Sequence, residues 1–147
     1  MNEESRLDTV SMLSRTVVAA NQYLSKCMQR SGLTGLVTSH GDILVQLFKE
    51  DGLLMGEIAQ RIDRDPSTVT TLVKKLIASG YVKTERNPKD RRTTVVLLTE
   101  EGRALEDVFW EISQQLNEVQ NKGISDEDIQ TTRQVLEKMQ DNFRAID

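Results

Sequence analysis

The hydrophobic spacing of this chain changes at Gly80 and changes back at Thr99. On either side, apolar residues recur every three or four positions, the spacing of a helix with one buried face. Between them lie two β-rich segments, Tyr81–Arg86 and Thr93–Leu98, separated by Asn87-Pro88-Lys89-Asp90-Arg91-Arg92. This pattern predicts a β-hairpin with a charged tip. A lone hairpin is marginal in water, so the helices around it must supply its partner face.

Those helices can be read in order. Leu7, Val10, Leu13, Val17, Ala20, Leu24 and Met28 predict one long helix from Leu7 to about Gln29. Gly32 and Gly35 then mark a loop. Ser39-His40-Gly41-Asp42 has the form of a capping box opening a second helix. Ile43, Leu44, Leu47 and Phe48 are its inner face, and Asp51-Gly52 ends it. A short third helix runs from about Met55 to Ile62. After a break at Asp63-Arg64, Asp65 can cap a fourth, with Pro66 at the first helical position, where its missing N–H costs nothing. Gly80 suits the left-handed residue beyond its end. Past the hairpin, Thr99 caps a fifth helix with the stripe Leu105, Val108, Phe109, Ile112, Leu116 and Val119. Gly123 stops it, and Ser125 opens a sixth carrying Ile129, Val135, Leu136, Met139 and Phe143.

Composition narrows the classes. The chain is 37% hydrophobic and 29% charged, which suits a soluble folded domain better than a disordered tail. Its longest apolar runs, Val17–Ala20 and Val95–Leu98, are too short to span a bilayer. The acidic start Met1-Asn2-Glu3-Glu4 leads into no signal-like apolar region. One cysteine cannot form an internal disulfide, so a reducing cytoplasm is expected. Aromatics are only 4%, so the core is aliphatic and modest, and two chains sharing one would suit it. The net charge of −4 is unevenly placed. Gly56 to Val95 holds nine basic and five acidic residues, +4; the remainder is −8. A basic reading head with acidic arms is the pattern of a chain that meets a polyanion at one place.

The order helix, helix, break, helix, glycine, hairpin is that of a winged helix-turn-helix. The fourth helix buries Val69, Leu72, Val73, Leu76 and Ile77 on one face. Its other face holds Ser67, Thr68, Thr70, Thr71, Lys74 and Lys75. Small hydroxyl residues can contact bases or phosphates, and lysines supply charge to the backbone. On an isolated helix such a face would simply be solvated. The hairpin adds Arg86, Lys89, Arg91 and Arg92 around one acid, Asp90, for which no packing role is evident. An arginine there can enter a narrow minor groove, and Asp90 can aim it through a bidentate pair. Double-stranded DNA is therefore the expected partner. A winged-helix protein-interaction module that has lost DNA is the alternative; it would have no need of these four cations.

Asp90-Arg91-Arg92-Thr93-Thr94-Val95-Val96-Leu97-Leu98-Thr99, with Glu100-Glu101-Gly102-Arg103, resembles the wing signature of the MarR (multiple antibiotic resistance regulator) family. Asp65–Val82, DPSTVTTLVKKLIASGYV, is similar to that family's recognition helix and following strand. The resemblance covers nearly the whole chain. It implies a mainly α fold, a winged helix-turn-helix with a two-stranded β-wing between N- and C-terminal dimerisation helices. Dimerisation would use about residues 1–35 and 99–147, and DNA binding about 38–98. It further implies a homodimer of triangular outline on a pseudo-palindromic operator, usually a repressor, released by a small aromatic or anionic effector or by cysteine oxidation. Arg92 would be the minor-groove arginine and Asp90 its positioning partner. The sequence departs from the family pattern twice. Gly41 replaces a larger residue, leaving room near the usual effector cleft; Arg64 replaces a small apolar residue, adding a cation that can meet a phosphate or lie exposed.

Three residues are candidates for the effector side: Cys27, His40 and Gly41. Cys27 is a redox sensor or a buried small hydrophobe; the family's sensor usually lies nearer the start of this helix. His40, the sole histidine, reads as a cap or surface residue, with a phosphate or effector contact as its functional options. Trp110 suits packing. One His and one Cys do not make an ordinary zinc site. No catalytic, metal or cofactor motif appears, so no enzyme is expected.

Overall fold

The computed structural model describes residues 8–146; Leu7 and the acidic start lie outside them. In chain order the elements are α1 (Asp8–Arg30), α2 (Thr38–Lys49), β1 (Leu53–Leu54), α3 (Met55–Arg61), α4 (Pro66–Ala78), β2 (Val82–Asn87) and β3 (Asp90–Leu98). Then follow α5 (Glu100–Arg103), α6 (Glu106–Asn121) and α7 (Asp126–Arg144). They form two compact units, Met1–Ser113 and Gln114–Asp147.

The first unit has one aliphatic core. Ile43, Leu44 and Leu47 of α2, Ile58 of α3, and Val69, Val73 and Leu76 of α4 are sealed from water with Leu53 and Val96. This is the predicted helical periodicity, converted into burial at roughly 1.5–3 kcal/mol per large side chain. The sheet has three strands rather than the expected two, in the order β1-β3-β2, all antiparallel. Leu53 and Leu54 pair with Val96 and Val95. Two residues after a Gly turn give no periodic signal; only β3's free edge makes them a strand.

Two helix boundaries also differ from expectation. Ser39 is not a cap, because α2 begins at Thr38 with Val37 as N-cap. The reciprocal bond comes from His40, whose Nδ1 accepts the Val37 N–H at 2.8 Å. The single fifth helix is broken into α5 and α6, where the Leu105 N–H turns back to Gly102 in a tight three-residue bond at 3.1 Å. Gly102 lets α5 lie close against the chain before β2. A Cβ there would stand 2.0 Å from the Tyr81 carbonyl oxygen, so α5 is pressed onto the start of the wing.

Three helix ends share one hydrogen-bond pattern, with the second residue past the cap bonding back to the third from the end. Leu33 bonds to Met28, Tyr81 to Leu76 and Arg64 to Ala59, at 2.9, 3.0 and 3.0 Å. Gly32 and Gly80 supply the left-handed residue at two of these ends; at the third it is Asp63, with φ 52°.

Apolar residues stay exposed on the long helices. Val10, Met12, Leu13, Val17 and Val18 line α1, and Trp110 on α6 is 65% exposed. In the second unit Val119, Val135 and Phe143 are exposed. Among the described residues no helix is long and apolar enough to cross a membrane.

Candidate nucleic-acid interface

The start of α4 is set by Asp65. Its carboxylate accepts the Thr68 N–H at 3.4 Å and the Ser67 hydroxyl. The Ser67 hydroxyl, and then the Thr68 amide, hold the Asp65 carboxyl below its ordinary pKa. Thr70 and Thr71 donate to the carbonyls of Pro66 and Ser67 at 3.0 and 3.2 Å. The protons of three hydroxyls are thus used within the helix. What this face offers outward is acceptor lone pairs and methyl groups, suited to base amino groups and thymine methyls.

Burial sorts the face further. Ser67, Thr68, Thr71 and Lys74 are exposed, opposite Val69, Val73 and Leu76, while Thr70 is half-buried on the flank. Ile77, read as inward-facing, is 42% exposed. Lys75 lies on the other flank. Its ammonium sits 3.6 Å from the place a Cβ would take at Gly35, in the loop between α1 and α2. The structure therefore separates Lys75 from Lys74.

The wing is held by a bulge. From Val82↔Leu98 to Arg86↔Thr94 the β2–β3 register is regular, and then Asn87 pairs with Asp90. Arg91, Arg92 and Thr93 are left out of the ladder. Such bulges bend a strand and re-aim its side chains. Local bonds fix this one. Arg86 Nη1 donates to the Arg91 carbonyl at 3.3 Å, Asn87 Nδ2 to Thr93 Oγ1 at 3.1 Å, and Thr93 Oγ1 to the Asp90 carbonyl at 2.8 Å. The Lys89 N–H, in the turn, donates to Asn87 Oδ1 at 3.1 Å.

Asp90 contacts Arg92 as expected but not as a two-pronged pair. One oxygen, Oδ1, accepts both the backbone N–H and the Nε–H of Arg92. The inner edge of the guanidinium is tethered, and its two Nη groups face solvent on a side chain 90% exposed. An exposed ion pair adds little stability. Its effect here is orientation.

The base of the wing depends on Thr99, which is the helix cap the sequence predicts, and on Asp51, read from sequence only as a helix end. Thr99 Oγ1 donates to the Gly80 carbonyl at 2.6 Å and accepts the Gly102 N–H at 3.1 Å. Asp51 Oδ1 accepts the N–H groups of Gly52 and Leu98, and Oδ2 takes Arg103 Nη2 at 3.1 Å. These bonds tie the end of α2, the end of β3 and α5 together. Asp51 pairs with residues 47 and 52 positions away, a distance no local pattern reports.

Of the three effector candidates, Gly41 is placed differently from expectation. Gly41 leaves no room. A Cβ there would stand 3.0 Å from Cε1 of Phe109, whose ring fills the notch and pairs with Phe48 at 5.7 Å. His40 is the cap the sequence allowed, bonded to the Val37 N–H, and is buried at 6% exposure rather than on the surface. Burial, and then the nearby Lys75 charge, hold its pKa below the ordinary histidine value. Cys27 is 3% exposed beside Met28 on the inner face of α1.

Comparison with known proteins follows this geometry. A family model described as MarR family matches residues 31–93, from the end of α1 through the wing arginines. The HTH-type transcriptional regulator TtmR of Methylorubrum extorquens is 41% identical over 63 residues, 43% of this chain and 32% of that protein. The chain thus matches about a third of that curated relative's length. A MarR transcriptional regulator from Methanosarcina mazei Go1 superposes with a TM-score of 0.81 at 26% identity, covering 93% of this chain and 96% of that one. The structure of reduced AbfR bound to DNA has the same fold, with a TM-score of 0.73 at 23% identity over 97% and 96% of the two chains.

Proposed function

We propose that the chain, which matches the MarR family of transcriptional regulators, is a homodimeric, sequence-specific DNA-binding repressor released by a small effector. One observation carries the DNA reading. The exposed hydroxyl and lysine face of α4 is accompanied by a wing whose highly exposed Arg92 is held in one direction by Asp90. Ser67, Thr68, Thr70, Thr71 and Lys74 read the major groove; Arg92 enters the minor groove. Lys75, Arg86, Lys89 and Arg91 add backbone contacts or brace the wing. A DNA-bound relative of the same fold supports this assignment.

A second copy of the chain covers the exposed apolar stripes of α1, α6 and α7. Two recognition helices then meet half-sites one helical turn apart, about 10 bp. Selection from a random duplex pool tests this. A pseudo-palindrome of that spacing is expected, and a pool with no enriched sequence refutes specific recognition. Neither assignment calls for a membrane, and the cytoplasm is the compartment it implies.

Effector release is the finer part of the reading. A small aromatic anion would enter beside His40 and Gly41 only by displacing the Phe109 ring. To act, it must favour a spacing of the recognition helices that does not fit DNA. Titrating benzoate into the operator complex should release the DNA, and Phe109→Leu should lower the concentration needed. An unchanged complex across a panel of aromatic acids would remove the effector from the assignment.

A further inference from the structure

The third helix end identified above departs from the other two in a way that points outward. At the ends of α1 and α4 the residue after the left-handed glycine is apolar and packs on the core: Leu33 is buried and Tyr81 half-buried against it. A hydrophobic contact at this position is the common companion of the motif. At the end of α3 the same position is Arg64, and its side chain is exposed. The packing contact has been given up. The guanidinium instead reaches across the helix-turn-helix, and Nη2 donates to Ser39 Oγ in the first turn of α2 at 3.3 Å.

We infer that Arg64, held by Ser39, is a contact to a DNA backbone phosphate beside the recognition helix. The position supports it. Arg64 immediately precedes Asp65, the cap from which Ser67 and Thr68 emerge, so its charge sits at the end of α4 that carries the small hydroxyl residues. The chemistry supports it too. A guanidinium has five N–H donors, and Ser39 takes one. The remaining fork matches a phosphate's oxygens. Asp42, in the same turn as Ser39, also lies within the field of Arg64. The Ser39 bond gives the long side chain a place before DNA arrives. The inference rests on the DNA reading above and extends it to a residue outside the assigned face.

The test is binding to a mixed-sequence duplex and to the selected operator over a salt series, since phosphate contacts act on both. Arg64→Gln keeps a donor for Ser39 but removes the charge. It should weaken both complexes roughly tenfold for each subunit bound at low salt, the scale of one charge-assisted bond. It should also make the slope of log K against log salt shallower by about one per subunit, about two for the dimer. Arg64→Lys should keep the slope and recover part of the affinity. Lys49→Gln, at the far end of α2, is the control and should leave the slope unchanged. A wild-type slope in Arg64→Gln overturns the inference, as does an equal change in Lys49→Gln. A fall in the urea midpoint with the slope intact also overturns it, by making Arg64 structural. If wild type itself shows no salt-dependent binding, the DNA reading fails first.

Discussion

A single carboxylate oxygen of Asp90 accepts both the backbone N–H and the Nε–H of Arg92, each at 3.1 Å. The acid thereby fixes where the arginine starts and which way it leaves. Arg92→Ala should cost about 1–3 kcal/mol of operator binding, the scale of one groove contact. Asp90→Ala should cost less and through the same residue, so the double variant should bind no worse than Arg92→Ala. Gel shifts on the selected operator would check this, and additive losses would refute the positioning role.

The clamp between α5 and the wing predicts a stability effect. Gly102→Ala places a methyl inside the Tyr81 carbonyl, and backbone cannot swing aside as a side chain can. A loss of about 3 kcal/mol is expected, at the upper end of ordinary overpacking costs. Urea unfolding would measure it; a loss under about 1 kcal/mol would mean the contact is loose.

Gly41 and Phe109 should be coupled. In a helix, Gly→Ala normally stabilises by about 1 kcal/mol. Here the new methyl meets the Phe109 ring at 3.0 Å, so that gain should be cancelled or reversed. In a Phe109→Leu background the gain should reappear. A double-mutant cycle reads the difference directly, and a zero coupling term would contradict the packing described.

His40 predicts a pH dependence. Its folded-state pKa is depressed by burial and then by Lys75. Below the unfolded value of about 6.5, the unfolded chain therefore binds the proton more readily. Stability is full above that pH and falls as the pH drops towards the folded pKa. Protonation would also set a donor against the Val37 N–H, which now bonds to Nδ1. The shift of the Asp42 carboxyl is upward, from burial, so its linkage runs the other way at more acid pH. The informative quantity is the stability difference between wild type and His40→Gln, which should be constant above about pH 7 and shift towards the variant as the pH falls below the unfolded pKa of about 6.5. A flat difference would rule the linkage out.

Asp63 holds a left-handed conformation with φ 52°, where the matching ends of α1 and α4 use glycine. Left-handed backbone costs a residue with a Cβ about 1–2 kcal/mol, and glycine's extra unfolded freedom offsets part of that. Asp63→Gly should therefore stabilise by about 0.5–1 kcal/mol. A raised urea midpoint would bear this out; a lowered one would mean the Asp63 side chain does unseen work at the turn.

The candidate site was legible to different depths in different places. Asp65 and Pro66 at the start of α4, Gly80 beyond its end, and the basic tip between Arg86 and Arg92 act within a few residues of where they stand. Capping, left-handed turns and charge density are local, so spacing alone reports them. The division of α4 into apolar and hydroxyl faces follows from the helical repeat for the same reason. The Asp90–Arg92 pairing could be anticipated, but not the shared oxygen, because the bulge that places both groups arises from the β2–β3 register.

Burial of the Leu, Ile and Val positions and the type of each helix follow from periodicity, which every residue in a helix feels. Other features depend on chain segments meeting that are distant in sequence. Leu53 and Leu54 become a strand only because β3 offers an edge. His40 is sealed from water only by tertiary packing, although its cap bond to Val37 is local. Gly41 is filled by Phe109, 68 residues away, and Arg64 finds Ser39 across 25. Such contacts are set by how helices pack in three dimensions, and a one-dimensional pattern carries no term for them.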